Sequence, residues 1–206
     1  MSYLATVITR TDGRWSAAEL DLDDVEDIDA IAEEVRGIDH EADLRVLLLE
    51  EEDEYLAIVR VDGEDAEPRV FLSEGRAADV YPLAAMLVEA IDDAGRDDDD
   101  PVAAVPDLDI EVLDDPGLGA ELGAELDDVE DVAGPRAEPE ATDDEESTGG
   151  HPTAPIGDAA LLADLGTSRP ALLELCRRES TLPSDVAAAV CENAGCFDAF
   201  DELRTG

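Results

Sequence analysis

The chain has 206 residues, enough for one modest domain or two small ones, and 44% of them are hydrophobic but only 3% aromatic. It carries 57 acidic residues against 13 basic ones, all of them Arg, for a formal net charge of -44. Because Lys and Arg side chains bind phosphate backbones and anionic membranes, this charge disfavours both as direct ligands and favours a basic partner protein.

The acidity has a second interpretation, which the sequence leaves open. Halophilic cells carry acidic, Lys-poor proteins throughout, and a GC-rich genome favours Ala, Gly, Asp and Arg by itself. On that view the charge is a background property of the proteome and identifies no partner.

The first residues of the chain and its hydropathy predict a soluble, cytoplasmic protein. The first residues lack the basic region and apolar run of a signal peptide, and no stretch approaches the ~18 apolar residues of a membrane span. In that compartment Cys176, Cys191 and Cys196 are expected to be reduced thiols.

The N-terminal part predicts an α+β domain, an antiparallel sheet with two helices in the order ββαβββα. Thr11-Asp12-Gly13 is typical of a hairpin turn, and residues 46–49 form a continuous apolar run, as in a central strand covered on both faces. The predicted elements are strands at 3–9, 14–20, 45–50, 54–62 and 69–73, a helix capped by Asp23 or Asp24 and ended by Gly37, and a well-buried helix at 78–93 with Pro82 in its first turn.

The composition then changes twice. Residues 96–156 are rich in Asp, Glu and Pro and predict an acidic, largely disordered linker, within which 107–113 and 117–126 retain apolar spacing. Residues 157–204 predict a small helical module with helices at 158–166, 169–179, 184–195 and 197–203. Because so small a unit is marginally stable alone, we expect it to dock on the first domain, residues 1–95, or on a partner.

No pattern for catalysis, cofactors or metal stands out. His40 and His151 lie in polar connecting segments. The Gly-rich patterns that bind phosphate are absent, because the glycines of 117–123 do not follow a predicted strand of good quality. Three cysteines without a nearby His favour buried thiols over a zinc site. The acidic runs 97–100 and 50–54 lack the spacing of a calcium loop, which favours solvated charge. We therefore predict no enzyme activity, no cofactor and no metal.

One group of residues is a candidate for contact with a partner. A tight acidic turn joins the two clearest strands, and the single tryptophan lies on an early strand, where an interface role competes with half-burial against a neighbouring helix. The candidate partner-binding residues are Trp15, Glu50, Glu51, Glu52, Asp53 and Glu54.

Several segments resemble the tRNA adenosine deaminase-associated proteins of actinobacteria. They are LDLDDVEDID (20–29), LLLEEEDEYLAIVRVDG (47–63), PRVFLS (68–73), GDAALLADLG (157–166) and LPSDVAAAVCENAG (182–195), with residues near 127–155 looking like an insertion. The resemblance implies association with a tRNA adenosine deaminase. The chain is not that enzyme, because a zinc deaminase needs an H-x-E and a P-C-x-x-C, and neither occurs.

These observations give one hypothesis and two alternatives. The hypothesis is a non-catalytic accessory protein whose acidic surface docks on the basic, tRNA-handling face of the deaminase, or on another basic protein. The alternatives are an acidic housekeeping domain without a specific partner and an enzyme of unrecognised type.

Overall fold

An antiparallel sheet forms the centre of the computed structural model, which describes residues 3–51, 53–63, 65–97, 150–178 and 181–205. The chain divides into two units, residues 1–100 with 149–206 and residues 101–148, and all described residues belong to the first. Its strands are β1 Tyr3–Thr11, β2 Arg14–Glu19, β3 Leu44–Glu51, β4 Tyr55–Val61, β5 Arg69–Leu72 and β6 Ile156–Gly157, and its helices are α1 Ile28–Ile38, α2 Pro82–Asp97, α3 Arg169–Arg177, α4 Pro183–Ala194 and α5 Phe197–Thr205.

The sheet has the order β2-β1-β3-β4-β5-β6, and every neighbouring pair is antiparallel. The predicted α+β class and the element order of the N-terminal part are confirmed. Asp12 and Gly13 both have positive φ, 52° and 75°, as a two-residue hairpin turn requires.

Helix α1 begins later than predicted. The hydroxyl of Tyr3 accepts a hydrogen bond from the Leu22 amide at 2.7 Å, and the buried Leu22 side chain fixes the chain there. The side chain of Asp27 then caps the helix by accepting from the Ala30 amide at 2.8 Å, so the prediction of Asp23 or Asp24 as the cap was wrong. Gly37 lies within the helix and does not end it.

Each face of the sheet is covered by helices, because its long central strands are apolar on both sides. Leu47 and Leu49 belong to one buried cluster, which α1 and α2 complete. Val46 and Leu48 belong to a second cluster, which the C-terminal helices complete. The prediction of two-sided coverage for residues 46–49 is therefore confirmed.

The C-terminal residues contribute to the sheet as well as to its second layer. Strand β6 pairs with β5, which the sequence did not predict. The predicted helix at 158–166 is instead a turn followed by a 3-10 helix at Ala163–Leu165. Helix α2 follows a 3-10 helix at Gly75–Asp79. It buries one stripe of its surface, which includes Ala84, Leu87 and Val88, and not its whole surface as predicted.

Ion pairs join the C-terminal residues to the sheet. Arg60 donates to both carboxylate oxygens of Asp164 and, at 2.6 Å, to the Leu161 carbonyl. Two further ion pairs connect the same parts of the chain, Arg69 with Asp158 at 2.6 Å and Arg204 with Glu50 at 2.7 Å. A hydrogen bond of 2.8 Å joins His151 to Asp79, at the end of the 3-10 helix that precedes α2.

Some predictions concern residues that the structure does not describe. The apolar segments 107–113 and 117–126 and the acidic residues 98–100 lie outside the described residues. The division into residues 1–95, 96–156 and 157–204 stays a prediction. Within the described ranges, no helix has the length and apolar content needed to cross a membrane.

Candidate protein-interaction surface

The acidic turn between β3 and β4 is only partly a surface feature. Glu50 and Glu51 are 5% and 4% exposed, whereas Asp53 and Glu54 are exposed. Glu52 lies outside the described residues. Among the predicted partner-binding acids that the structure describes, Asp53 and Glu54 are therefore accessible to another protein.

Glu50 has an internal role. One of its carboxylate oxygens accepts a hydrogen bond from Arg204 of α5 at 2.7 Å. Burial raises the pKa of Glu50, and the guanidinium of Arg204 opposes that shift. The pair joins α5 to the end of β3, so the carboxylate of Glu50 has a partner within the protein.

Trp15 is half-buried on β2, against the cluster that the C-terminal helices complete. The guanidinium carbon of Arg10 lies 5.3 Å from the centre of its ring, within the range of a cation–π contact. This is the packing role that the sequence left open beside an interface role, and a partner contact through Trp15 stays a prediction.

A groove of about 470 Å³ lies where the start of β1, the loop before α1, the end of β3 and the start of α2 meet. Most of its lining is aromatic or aliphatic, and two acids, Asp23 and Glu51, complete it. The apolar and aromatic residues are Tyr3, Leu22, Val25, Tyr81, Pro82, Leu83 and Met86.

Two carboxylates converge on the hydroxyl of Tyr3 at the edge of this groove. The hydroxyl lies 3.2 Å from an oxygen of Asp21 and 3.0 Å from an oxygen of Asp23. Its single proton can satisfy one of them at a time. Partial burial raises the pKa of Tyr3 to about 12, and both neighbouring carboxylates act in the same direction, so the phenol stays neutral.

Neither carboxylate has a basic partner among the described residues. Asp21 also accepts from the Asp23 amide at 2.9 Å, and both side chains are exposed. Further exposed acids follow directly in the sequence: Asp24, Glu26 and Asp27. The loop before α1 is therefore an acidic rim along an apolar groove.

Aromatic packing holds Tyr81, another lining residue of the groove. The rings of Tyr55 and Tyr81 lie 5.4 Å apart in a tilted arrangement, with Tyr55 fully buried. Val80, next to Tyr81, is 66% exposed, the largest exposure among the described large hydrophobic residues. Asp79, Val80, Tyr81 and the exposed Glu54 line an adjoining groove of about 390 Å³.

Other candidate chemistry has a structural explanation. Cys191 and Cys196 are buried, and their contact with each other together with burial raises the pKa of the Cys191 thiol. Burial raises the pKa of Cys176 to about 11. Over the described ranges, no three His, Cys, Asp or Glu residues are placed to hold a metal ion. His40 is exposed, and His151 is hydrogen-bonded to Asp79.

A family model matches more than half of the chain. The model, described as Rv3753c-like tRNA adenosine deaminase-associated protein, covers residues 3–135. The chain belongs to this family. Searches of curated proteins and of solved structures returned no match. The resemblance to this family that residues 20–29, 47–63 and 68–73 indicated is confirmed. The match ends before the two C-terminal segments, 157–166 and 182–195.

The groove residues were missed by sequence reasoning. In the sequence pattern, Tyr3 is an ordinary residue of a predicted strand, and Tyr81 and Met86 are ordinary residues of a predicted helix. The one available signal was the acidic stretch 21–27, in which Asp23 and Asp24 were considered only as helix caps.

Proposed function

We propose that this protein is a non-catalytic accessory or regulatory partner of a tRNA adenosine deaminase, which it binds through its acidic surface. The family's association with that enzyme supports the choice of partner. The net charge of -44 supports an electrostatic mode of binding, because an enzyme that handles tRNA needs a basic surface. On this proposal both proteins are cytoplasmic, and this chain makes no direct contact with nucleic acid.

The observation that carries the proposal is the unneutralised acidic rim. Asp21 and Asp23 meet at one phenol without a cation beside them in the described structure. A basic side chain of a partner would relieve their mutual repulsion, and the adjoining groove supplies apolar area that a partner would cover. An acidic protein lacking such a site would attract basic proteins only diffusely.

Co-purification of the full chain with the deaminase of the same cell tests the proposal. We expect a complex at about 0.1 M NaCl that is weakened at about 1 M, because the Debye length falls from about 10 Å to about 3 Å. The deamination rate on tRNA, measured with and without this chain, then shows whether binding alters catalysis. Absence of a complex at both salt concentrations would refute physical association.

A further inference from the structure

We infer that the groove between Tyr3 and Met86 is the docking site for a partner segment in which an Arg or Lys side chain stands next to apolar side chains. The inference rests on the proposed function only in taking the partner to be a protein. It specifies which part of this acidic chain contacts the partner and which side chains of the partner are recognised.

The apolar half of the recognition comes from side chains that the fold leaves partly uncovered. Val25, Leu83 and Met86 pack against the buried cluster beneath and also line the groove. Because covering such surface releases water, an apolar side chain placed there gains free energy in proportion to the area covered. Methionine is well suited to this role, since its flexible thioether adapts to different partners.

The cationic half comes from charge complementarity at one end of the groove. The carboxylates of Asp21 and Asp23 share the hydroxyl of Tyr3, which spaces them within reach of a single guanidinium or ammonium group. Arg is the better fit, because its planar group donates several hydrogen bonds in fixed directions and can stack on an aromatic ring. Tyr3 and Tyr81 both line the groove and offer such rings.

The same features disfavour other ligands. A phosphate-bearing molecule would meet a rim of carboxylates and no Arg among the lining residues. A metal ion would require three suitable side chains together, and the described residues provide no such group. A basic and apolar segment satisfies both halves of the site at once.

Titration of the full chain with short peptides, followed by amide chemical shifts, tests the inference. The probe is a capped peptide of alternating Leu and Arg. Two matched peptides replace every Arg by citrulline, which is neutral, or every Leu by Ser. We expect the Leu–Arg peptide to shift amides around Tyr3, Val25 and Met86, and each matched peptide to bind about tenfold more weakly there.

Variants with matched controls separate the groove from general acidity. We expect Asp23→Asn to weaken binding of the Leu–Arg peptide about tenfold and Glu33→Gln, an exposed acid on α1, to leave it unchanged. Met86→Ser is paired with Leu182→Ser, whose side chain is 42% exposed elsewhere on the molecule. If Met86→Ser disturbs the fold, the exposed Asp23 still provides the test.

Two results would overturn the inference. One is a shift pattern spread over the acidic surface and equal for the Leu–Arg and Ser–Arg peptides. The other is equal weakening by Asp23→Asn and Glu33→Gln. A deaminase complex that is insensitive to the groove variants would refute this site but keep the proposed function. Peptide binding at the groove without a deaminase complex would do the reverse.

Discussion

Arg60 makes a buried polar contact between the sheet and the C-terminal residues. Its side chain is 8% exposed, and it donates to Asp62 at 2.9 Å as well as to Asp164 and to the carbonyl of the buried Leu161. Arg69 makes a similar ion pair with Asp158, but both of its members are about 40% exposed. The two arginines thus differ in burial more than in chemistry.

We expect Arg60→Met to lower the free energy of unfolding by about 2 kcal/mol, because it leaves a buried carbonyl without its donor and two acids without their partner. Arg69→Met is the matched control and should cost less than about 1 kcal/mol, since water can replace an exposed ion pair. Urea unfolding of both variants measures the difference. Equal losses would show that burial of Arg60 adds nothing to its ion pair.

At the scale of elements, local patterns predicted much of the sheet. The strands of the first part of the chain were placed within a residue or two, since alternating apolar residues and the Asp12-Gly13 turn act locally. The start of α1 was misplaced because a distant group, the Tyr3 hydroxyl, holds the Leu22 amide. Strand β6 was missed because two residues, Ile156 and Gly157, carry no periodicity of their own.

Gly157 shows why β6 can lie so close to β5. Its φ is +87°, and a Cβ added there would stand 2.3 Å from the carbonyl oxygen of Val70. The Asp158 amide donates to that same oxygen at 2.8 Å, so the backbone cannot move away without losing the bond. Gly195, which ends α4, has a similar φ of +75° but nothing within 4 Å of an added Cβ.

Gly157→Ala should therefore destabilise the protein more than Gly195→Ala. Both substitutions strain a left-handed backbone, at a cost of about 1 kcal/mol each. At position 157 the clash adds to that cost, and we expect a total of more than about 3 kcal/mol. Thermal unfolding compares the two variants, and faster amide exchange at Leu72 would locate the damage at β5 and β6. Equal destabilisation would mean that the strand relaxes at no cost.

The groove belongs to the scale of the whole molecule, which is why the sequence did not reveal it. Its walls come from β1, the loop before α1, β3 and α2, so Tyr3 and Tyr81 meet only once the sheet is assembled. The acidic run 50–54 was predicted to be solvated, which is confirmed for Asp53 and Glu54 but wrong for Glu50 and Glu51. Glu50 and Glu51 needed the position of α5 and the packing of the sheet before their burial could be known.

The net charge of -44 also governs the stability of the molecule as a whole. Like charges repel one another in the folded chain, and salt screens that repulsion. Salt also weakens attractive pairs such as Arg69 with Asp158, but the described residues form few such pairs, and the chain has a large excess of acids. We therefore expect the midpoint of thermal unfolding to rise as NaCl increases from about 0.1 M to about 1 M. A falling midpoint would show that attractive pairs dominate.

The expected rise of the unfolding midpoint with salt helps to interpret the expected weakening of the deaminase complex by salt. If the protein gains stability at about 1 M NaCl while its complex dissociates, the dissociation reflects a broken interface and not unfolding. If the acidity is only a property of the proteome, the unfolding midpoint would rise with salt in the same way. Such a charge would make Asp23 and Glu33 interchangeable, because each contributes one exposed carboxylate. A difference between their variants in binding is therefore the evidence that separates a docking site from background acidity.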